Sequence, residues 1–294
     1  MIKSKLGAVM AATLFTLGTA GSAHALTLAS GDFKLTIDNY DSATTSYGST
    51  AGNKCTTIAT CDTAATPATG SVGSANTSAD TMGIFSVSSI SRISDGSDWF
   101  TRGVDGYLTG IFGNLRDYKV DVAIVGSNPL TSILAQNGTF DLFLNNANYN
   151  PALGPLFSAG TKDLNNALYP GISGGTLVLS GVFAPGIVFG DSTTTFITTY
   201  NSNSIVGGSG GYLDITGGLW QTQFDTDGEI GLNGEIHDLL ASYTFRPNAA
   251  TTAMGWSLIS TGDITGNVIP EPGSLALLAL GLLGVGAVTR RRQV

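Results

Sequence analysis

The chain reads as an all-β protein, an antiparallel β-sandwich or jelly-roll, and three observations lead there. Forty of its 294 residues are glycine, and they stand among abundant Thr and Ser, a composition that suits strands and turns better than helices. Apolar runs are short, and the clearest of them alternate apolar and polar residues at period two, the spacing of a half-buried strand. Clusters of Gly, Asn, Asp and Pro separate these runs, as turns do in double-sheet folds.

The first strand is predicted at Phe33-Lys34-Leu35-Thr36-Ile37-Asp38, where every second side chain is apolar. Residues 41–81 are rich in Ser, Thr, Ala and Gly and too poor in large apolar side chains to offset their ordering entropy, so they are expected to form a surface excursion. Strands are expected next at 84–90, 107–112, 120–125 and 140–144. Further strands follow at 176–179 with 182–183, at 196–200, at 212–215, at 239–245 and at 256–259. One short helix is predicted from Lys162 to Tyr169, stopped by Pro170-Gly171. The long excursion leaves the first strand without a neighbour close in sequence, so it is expected to pair with a distant strand near the C-terminus.

The two ends carry a different chemistry. Lys3 and Lys5 precede an apolar run from Leu6 to Leu17, and Ala23-His24-Ala25 has the small-x-small form of a signal-peptide cleavage site. Residues 1–25 are therefore expected to be a signal helix, with Leu26 as the mature start and residues 26–269 as the all-β extracellular domain. At the other end Pro270-Glu271-Pro272 is followed by uncharged residues 273–289 and then by Arg290, Arg291 and Arg292. Such a span just reaches the roughly 17 residues that a helix needs to cross a bilayer, and the basic tail prefers the cytoplasmic side.

Those three elements in order resemble the PEP-CTERM tripartite tail. The resemblance implies that residues 270–294 form a sorting tail with a transmembrane helix, and that Pro270, Glu271 and Pro272 are recognised by an exosortase-type sorting protease. It also implies a Gram-negative host and transient anchoring in the inner membrane, followed by release to the cell surface or extracellular matrix. The family is associated with exopolysaccharide, biofilm and floc formation, so a structural or adhesive surface protein is expected. The alternatives are a carbohydrate- or calcium-binding module and, third, a secreted hydrolase.

Charge narrows the partners. Between Leu26 and Ile269 there are 8 basic and 20 acidic residues, a net charge of −12, and 18 of the acids are Asp. A surface of that sign repels phosphate backbones, so no nucleic-acid partner is expected. The two cysteines, Cys55 and Cys61, are expected to form a disulfide in an exported protein. No His lies near them to complete a metal site.

Candidate chemistry is sparse. His237 is the one histidine left after processing, and no Gly-x-Ser-x-Gly elbow accompanies it, so no catalytic residues are assigned. Gly207-Gly208-Ser209-Gly210-Gly211 reads as a flexible hairpin loop. In Glu235-Ile236-His237-Asp238 a strand would set Glu235 and His237 on one face and Asp238 on the other, and the favoured account is a solvent-facing pair at a strand entrance. Asp225-Thr226-Asp227-Gly228-Glu229 starts like a calcium loop but has Ile230 and Ile236 where Gly and Glu are needed, so a turn joining two strands is expected. Trp99, Trp220 and Trp256, with the Asp-Gly turns at Asp95 and Asp105, offer sugar-stacking groups that are more often core anchors. No nucleotide-binding glycine pattern is present, and neither a cofactor nor a complete metal site is implied.

Overall fold

The computed structural model describes residues 31–43, 45–67, 80–150, 171–250, 256 and 258–268. The expected signal peptide, the helix at 162–169 and the sorting tail lie outside the described residues. In chain order the first strands are β1 (Gly31–Ala43), β2 (Thr45–Ser46), β3 (Gly52–Cys55), β4 (Thr66–Pro67), β5 (Asp80–Arg92), β6 (Asp98–Thr101), β7 (Tyr107–Val125) and β8 (Asn128–Asn145). They are followed by β9 (Thr176–Ala184), β10 (Phe196–Asn201), β11 (Val206–Gly217), β12 (Glu229–Ile230), β13 (Ile236–His237), β14 (Leu239–Pro247) and β15 (Leu258–Val268). The described residues also include two short helices, α1 (Ile58–Ala64) and α2 (Gln221–Phe224).

The strands are antiparallel, as expected, but they do not make a sandwich or a jelly-roll. Each of β1, β5, β7, β8, β9, β11, β14 and β15 pairs with the next in that order, and β15 returns to pair with β1 from Gly31↔Val268 to Asp41↔Leu258. The ladder is therefore one closed meander barrel of eight positions rather than two stacked sheets. Closure satisfies the edges that separate sheets would expose. β8 bends at Asn137 and Gly138, whose φ values are 63° and 107°. Before the bend it pairs with β10 and after it with β9, so those two strands share one position in the ring.

Alternation decides what fills the ring. On β1 Phe33, Leu35 and Ile37 point inward and are buried, while Lys34, Thr36 and Asp38 face out. Phe85, Phe112, Phe140, Phe183, Phe196 and Leu213 come in from the other strands, and the remaining cavity among them is about 30 Å³. Rings this large fit because glycines stand opposite them: Phe85 pairs with Gly110 across β5 and β7, and Phe140 with Gly181 across β8 and β9. The Gly207–Gly211 run serves the same closeness and belongs to β11, not to a loop; a Cβ on Gly211 would lie 2.4 Å from the Thr195 carbonyl.

Trp99 and Trp220 are drawn together at one end of the barrel. Phe33 packs against Trp99 and Phe224, and Trp220 stacks on Phe224 at 6.0 Å, so α2 plugs that end with aromatic rings. Trp256 is buried elsewhere, with Met82, Ile84, Ile111, Phe143, Tyr149 and Ile172 on the outer side of β5, β7 and β8. The tryptophans anchor cores and form no sugar platform. Asp95 and Asp105 likewise serve their turns, accepting from the backbone N–H of Ser97 and Thr101.

The excursion at 41–81 is smaller than expected. β1 runs on to Ala43, β5 starts at Asp80, and β3 joins the ladder beside β7. Its composition is polar, but Tyr47, Cys55 and Cys61 are buried against Val120, Ile133 and Phe245. The Cys55–Cys61 disulfide is formed and ties β3 to α1. Tyr47 donates to the buried Asp117 at 2.7 Å, and Arg116 pairs with Asp62 at 2.8 Å. The strand expected at 256–259 is β15, and it continues through Ser260-Thr261-Gly262-Asp263, a run with no apolar signal. Its glycines answer Tyr243 and Leu239 on β14.

The interior packing makes a direct test. A Cβ at Gly110 would lie 2.1 Å from the Phe85 ring and 2.7 Å from the Asp141 carbonyl oxygen, which belongs to backbone and cannot step aside. Gly110→Ala is expected to destabilise the barrel by about 1–3 kcal/mol in urea titrations. Wild-type stability in that variant would count against the ring-on-glycine account.

Candidate functional site

A polar corner is built on the outside of the barrel where β11 meets the β12–β13 ribbon. Leu213 and Ile215 of β11 face the interior, so Tyr212 and Asp214 face out. The ribbon pairs Glu229 with His237 and Ile230 with Ile236, which carries His237 onto Tyr212; the two rings stack at 4.8 Å. Tyr212 donates its hydroxyl proton to the Ile230 carbonyl.

His237 is not solvent-facing: it is 3 % exposed. The expected account of this segment is overturned because Tyr212 and the 185–191 loop cover the ring. Its Nδ1 lies 2.9 Å from Asp214 Oδ1. An ionised carboxylate can only accept, so a neutral ring carries its proton on Nδ1 and leaves a bare lone pair on Nε2. The expected facing is otherwise as found: Glu235 lies on the same side, and Asp238 is turned away.

Glu235 and His237 converge. Glu235 Oε2 and His237 Nε2 are both buried and without a hydrogen-bond partner. Each lies 3.1 Å from the point where a Cβ on Gly186 would stand, and they lie 3.0 and 3.3 Å from the corresponding point on Gly231. The loop after β9 closes this space. Leu232 N–H donates to the Gly186 carbonyl at 2.8 Å, and Asn233 accepts from Gly190 N–H and donates to Val188.

Asp238 serves the neighbouring turn. Its Oδ2 accepts from Ile215 N–H at 2.7 Å and its Oδ1 from Thr226 and Asp227 N–H at 2.6 and 2.9 Å. The turn at 225–228 therefore follows α2 and is held by a carboxylate, and it does not join two strands. Asp225, Asp227 and Asp238 bring one carboxylate oxygen each within 4.8 Å of the others, an all-oxygen group of the kind a hard cation prefers. Two of the three are exposed, and Asp238 is already engaged by backbone donors.

Two carboxyl or hydroxyl groups here titrate away from their usual range. Burial pushes the Tyr212 hydroxyl up, and the charges of Glu229 and Glu235 push it the same way. Burial also raises the Glu229 carboxyl, with a second contribution from Asp32. The corner is thus a place of gathered negative charge.

A separate open groove of about 790 Å³ runs across β7, β8 and the β9–β10 loop. Asn114, Arg116, Gln136 and Asn137 line it together with the hydroxyls of Thr139 and Thr193. Its rim is braced by Asp191, which takes hydrogen bonds from Tyr118, Thr193 and Thr194.

Sequence reading singled out Glu235, His237, Asp238, Asp225 and Asp227, and the structure brings all of them to this corner. It missed Tyr212, Asp214 and Gly186, which arrive from a strand and a loop more distant in the chain, and Gly231 in the turn of the ribbon itself. Period-two alternation in Tyr212-Leu213-Asp214-Ile215 could have marked Asp214 as an outward carboxylate. The sorting residues Pro270, Glu271, Pro272 and Arg290 to Arg292 lie outside the described residues.

Fold and site together describe a filled meander β-barrel with a buried His-carboxylate corner on its outer wall. The chain carries the PEP-CTERM protein-sorting motif, matched at residues 268–292. That motif implies an exosortase as processing partner and export to the cell envelope or surface. No curated protein and no solved structure matches the chain.

Asp191 yields a pH test. Burial alone would raise its carboxyl, but the hydrogen bonds from Tyr118, Thr193 and Thr194 outweigh burial and hold it well below the usual carboxylate range. A depressed native pKa contributes stability above the unfolded value, about 4, and that contribution is lost as pH falls through the folded value. Asp191→Asn is expected to lower the melting temperature at pH 7 and to match wild type more closely below about pH 3. Equal melting temperatures at pH 7 would show that the carboxylate stabilises nothing.

Proposed function

We propose that this protein is a non-catalytic structural or adhesive component of the extracellular matrix of a Gram-negative bacterium, associated with exopolysaccharide in biofilm or floc. The observation that carries the reading is the sorting motif at residues 268–292. In this reading residues 273–289 span the inner membrane until an exosortase acts at Pro270-Glu271-Pro272, and the barrel is then released to the surface. The body supports it in two ways. A net charge of −12 favours solubility outside the cell, and among the described residues the barrel interior is filled by aromatic rings around a cavity of about 30 Å³.

A second reading, carbohydrate binding, is favoured by the groove. Amides, a guanidinium and hydroxyls are the groups that hydrogen-bond sugar hydroxyls, and Asn114, Arg116, Gln136, Asn137, Thr139 and Thr193 supply them side by side.

Glu271→Ala is expected to leave full-length protein in the inner membrane and to reduce biofilm or floc to the level of a strain lacking the protein. Release of that variant at the wild-type level would defeat the sorting step; normal biofilm with retained protein would defeat the matrix role. For the second reading, Asn114→Ala combined with Gln136→Ala is expected to lower retention of purified protein on the host exopolysaccharide at least about tenfold, the loss of one to two hydrogen bonds. Unchanged retention would place the polysaccharide elsewhere.

A further inference from the structure

We propose that Glu235 and His237 bind a divalent metal ion of the zinc class, through Glu235 Oε2 and His237 Nε2, in the niche floored by Gly186 and Gly231. The two atoms face one space: both are 3.1 Å from the Cβ point of Gly186, and hence no more than twice that distance apart. Both are buried, and neither has a hydrogen-bond partner. Buried polar atoms without partners are rare because desolvation is left uncompensated, and two of them facing one another call for something between.

The chemistry of the pair selects a cation. With the Nδ1 proton given to Asp214, His237 presents a lone pair, and an ionised Glu235 presents another. Two acceptors repel each other, and Glu229, paired across the ribbon from His237, adds a further carboxylate to the same corner.

The arrangement around His237 is also that of a metal ligand. A ligating imidazole is held by a carboxylate on its other nitrogen, which fixes both tautomer and ring orientation, and Asp214 does this at 2.9 Å. Stacking on Tyr212 at 4.8 Å limits rotation further. Imidazole in the donor set favours zinc and its neighbours over calcium or magnesium, which take oxygen alone. Two protein donors are one fewer than open zinc sites use, so water completes the coordination and affinity is expected in the micromolar range.

Backbone shape provides the space. Gly186 and Gly231 are buried, and a methyl group on Gly231 would stand 3.0 Å from Glu235 Oε2 and 3.3 Å from His237 Nε2, inside the niche itself. Gly231 therefore allows a variant that blocks the ion while both ligands remain.

The test uses the purified full-length protein, stripped with chelator, with zinc binding followed by calorimetry and by thermal melting. Wild type is expected to bind one zinc ion per chain and to melt higher with zinc, while calcium at the same concentration has no such effect. His237→Ala, Glu235→Gln and Gly231→Ala are each expected to weaken zinc binding more than tenfold. Asp214→Asn should weaken it about 10–100-fold at unchanged stoichiometry, as loss of an orienting carboxylate does. Asp225→Asn with Asp227→Asn should leave zinc binding intact. If His237→Ala does not fold, the near-isosteric Glu235→Gln decides. No stoichiometric binding by folded wild type would overturn the proposal and assign the niche to water. Binding that survives Glu235→Gln and Gly231→Ala, or that is lost with the Asp225 and Asp227 changes, would overturn it by moving the ion to another site.

Discussion

Pairing of the first barrel strand with the last is the contact on which the rest of the structure depends. Gly31 to Asp41 lie against Leu258 to Val268, a ladder that joins the two ends of the described chain. The other pairings of the ring join strands nearer to each other in the chain, so a curled sheet could form without it. Such a sheet would keep two open edges and an exposed apolar face. Loop-closure entropy rises only slowly with length, so the remote pairing costs little more than a nearer one, and burial of the common interior offsets it. Closure also brings Gly31 beside Val268. The described chain therefore enters and leaves the barrel at the same rim.

The ring closes around side chains, not around a ligand. Phenylalanines from β1, β5, β7, β8, β9 and β10 meet in the interior, and glycines on adjacent strands make room for them. This trade has a consequence for composition: the glycine content that marks the chain as poor in helix is, in the barrel wall, a packing device. The cavity left among these rings, about 30 Å³, holds no more than a water molecule or so.

On the outer wall, the β12–β13 ribbon sorts two chemistries by alternation alone. Glu235 and His237 turn towards Gly186 and Gly231, and Asp238 turns towards the backbone donors of Ile215, Thr226 and Asp227. Adjacent residues thus serve separate ends: Asp238 holds a turn, and the other two meet in an enclosed space. The loop after β9, tied down by Asn233 and Leu232, encloses it.

Much of this was readable from residues in order. Strand identity follows from side chains that alternate within a few residues, so β1, β5, β9 and β14 are plain in the text of the chain, as are the disulfide and the sorting tail, whose parts are contiguous. The facing of Glu235 against Asp238 is also local geometry and was legible. What the text could not show depends on contacts between distant segments. Ser260-Thr261-Gly262-Asp263 has no apolar period and is a strand because it is paired on both sides, with β1 and with β14, where Gly262 stands opposite Tyr243. A sandwich and a closed barrel share the same strands and differ only in whether β15 returns to β1. His237 is buried because Tyr212 and the Gly186 loop are folded over it, and burial is a property of what surrounds a residue, which no local pattern records.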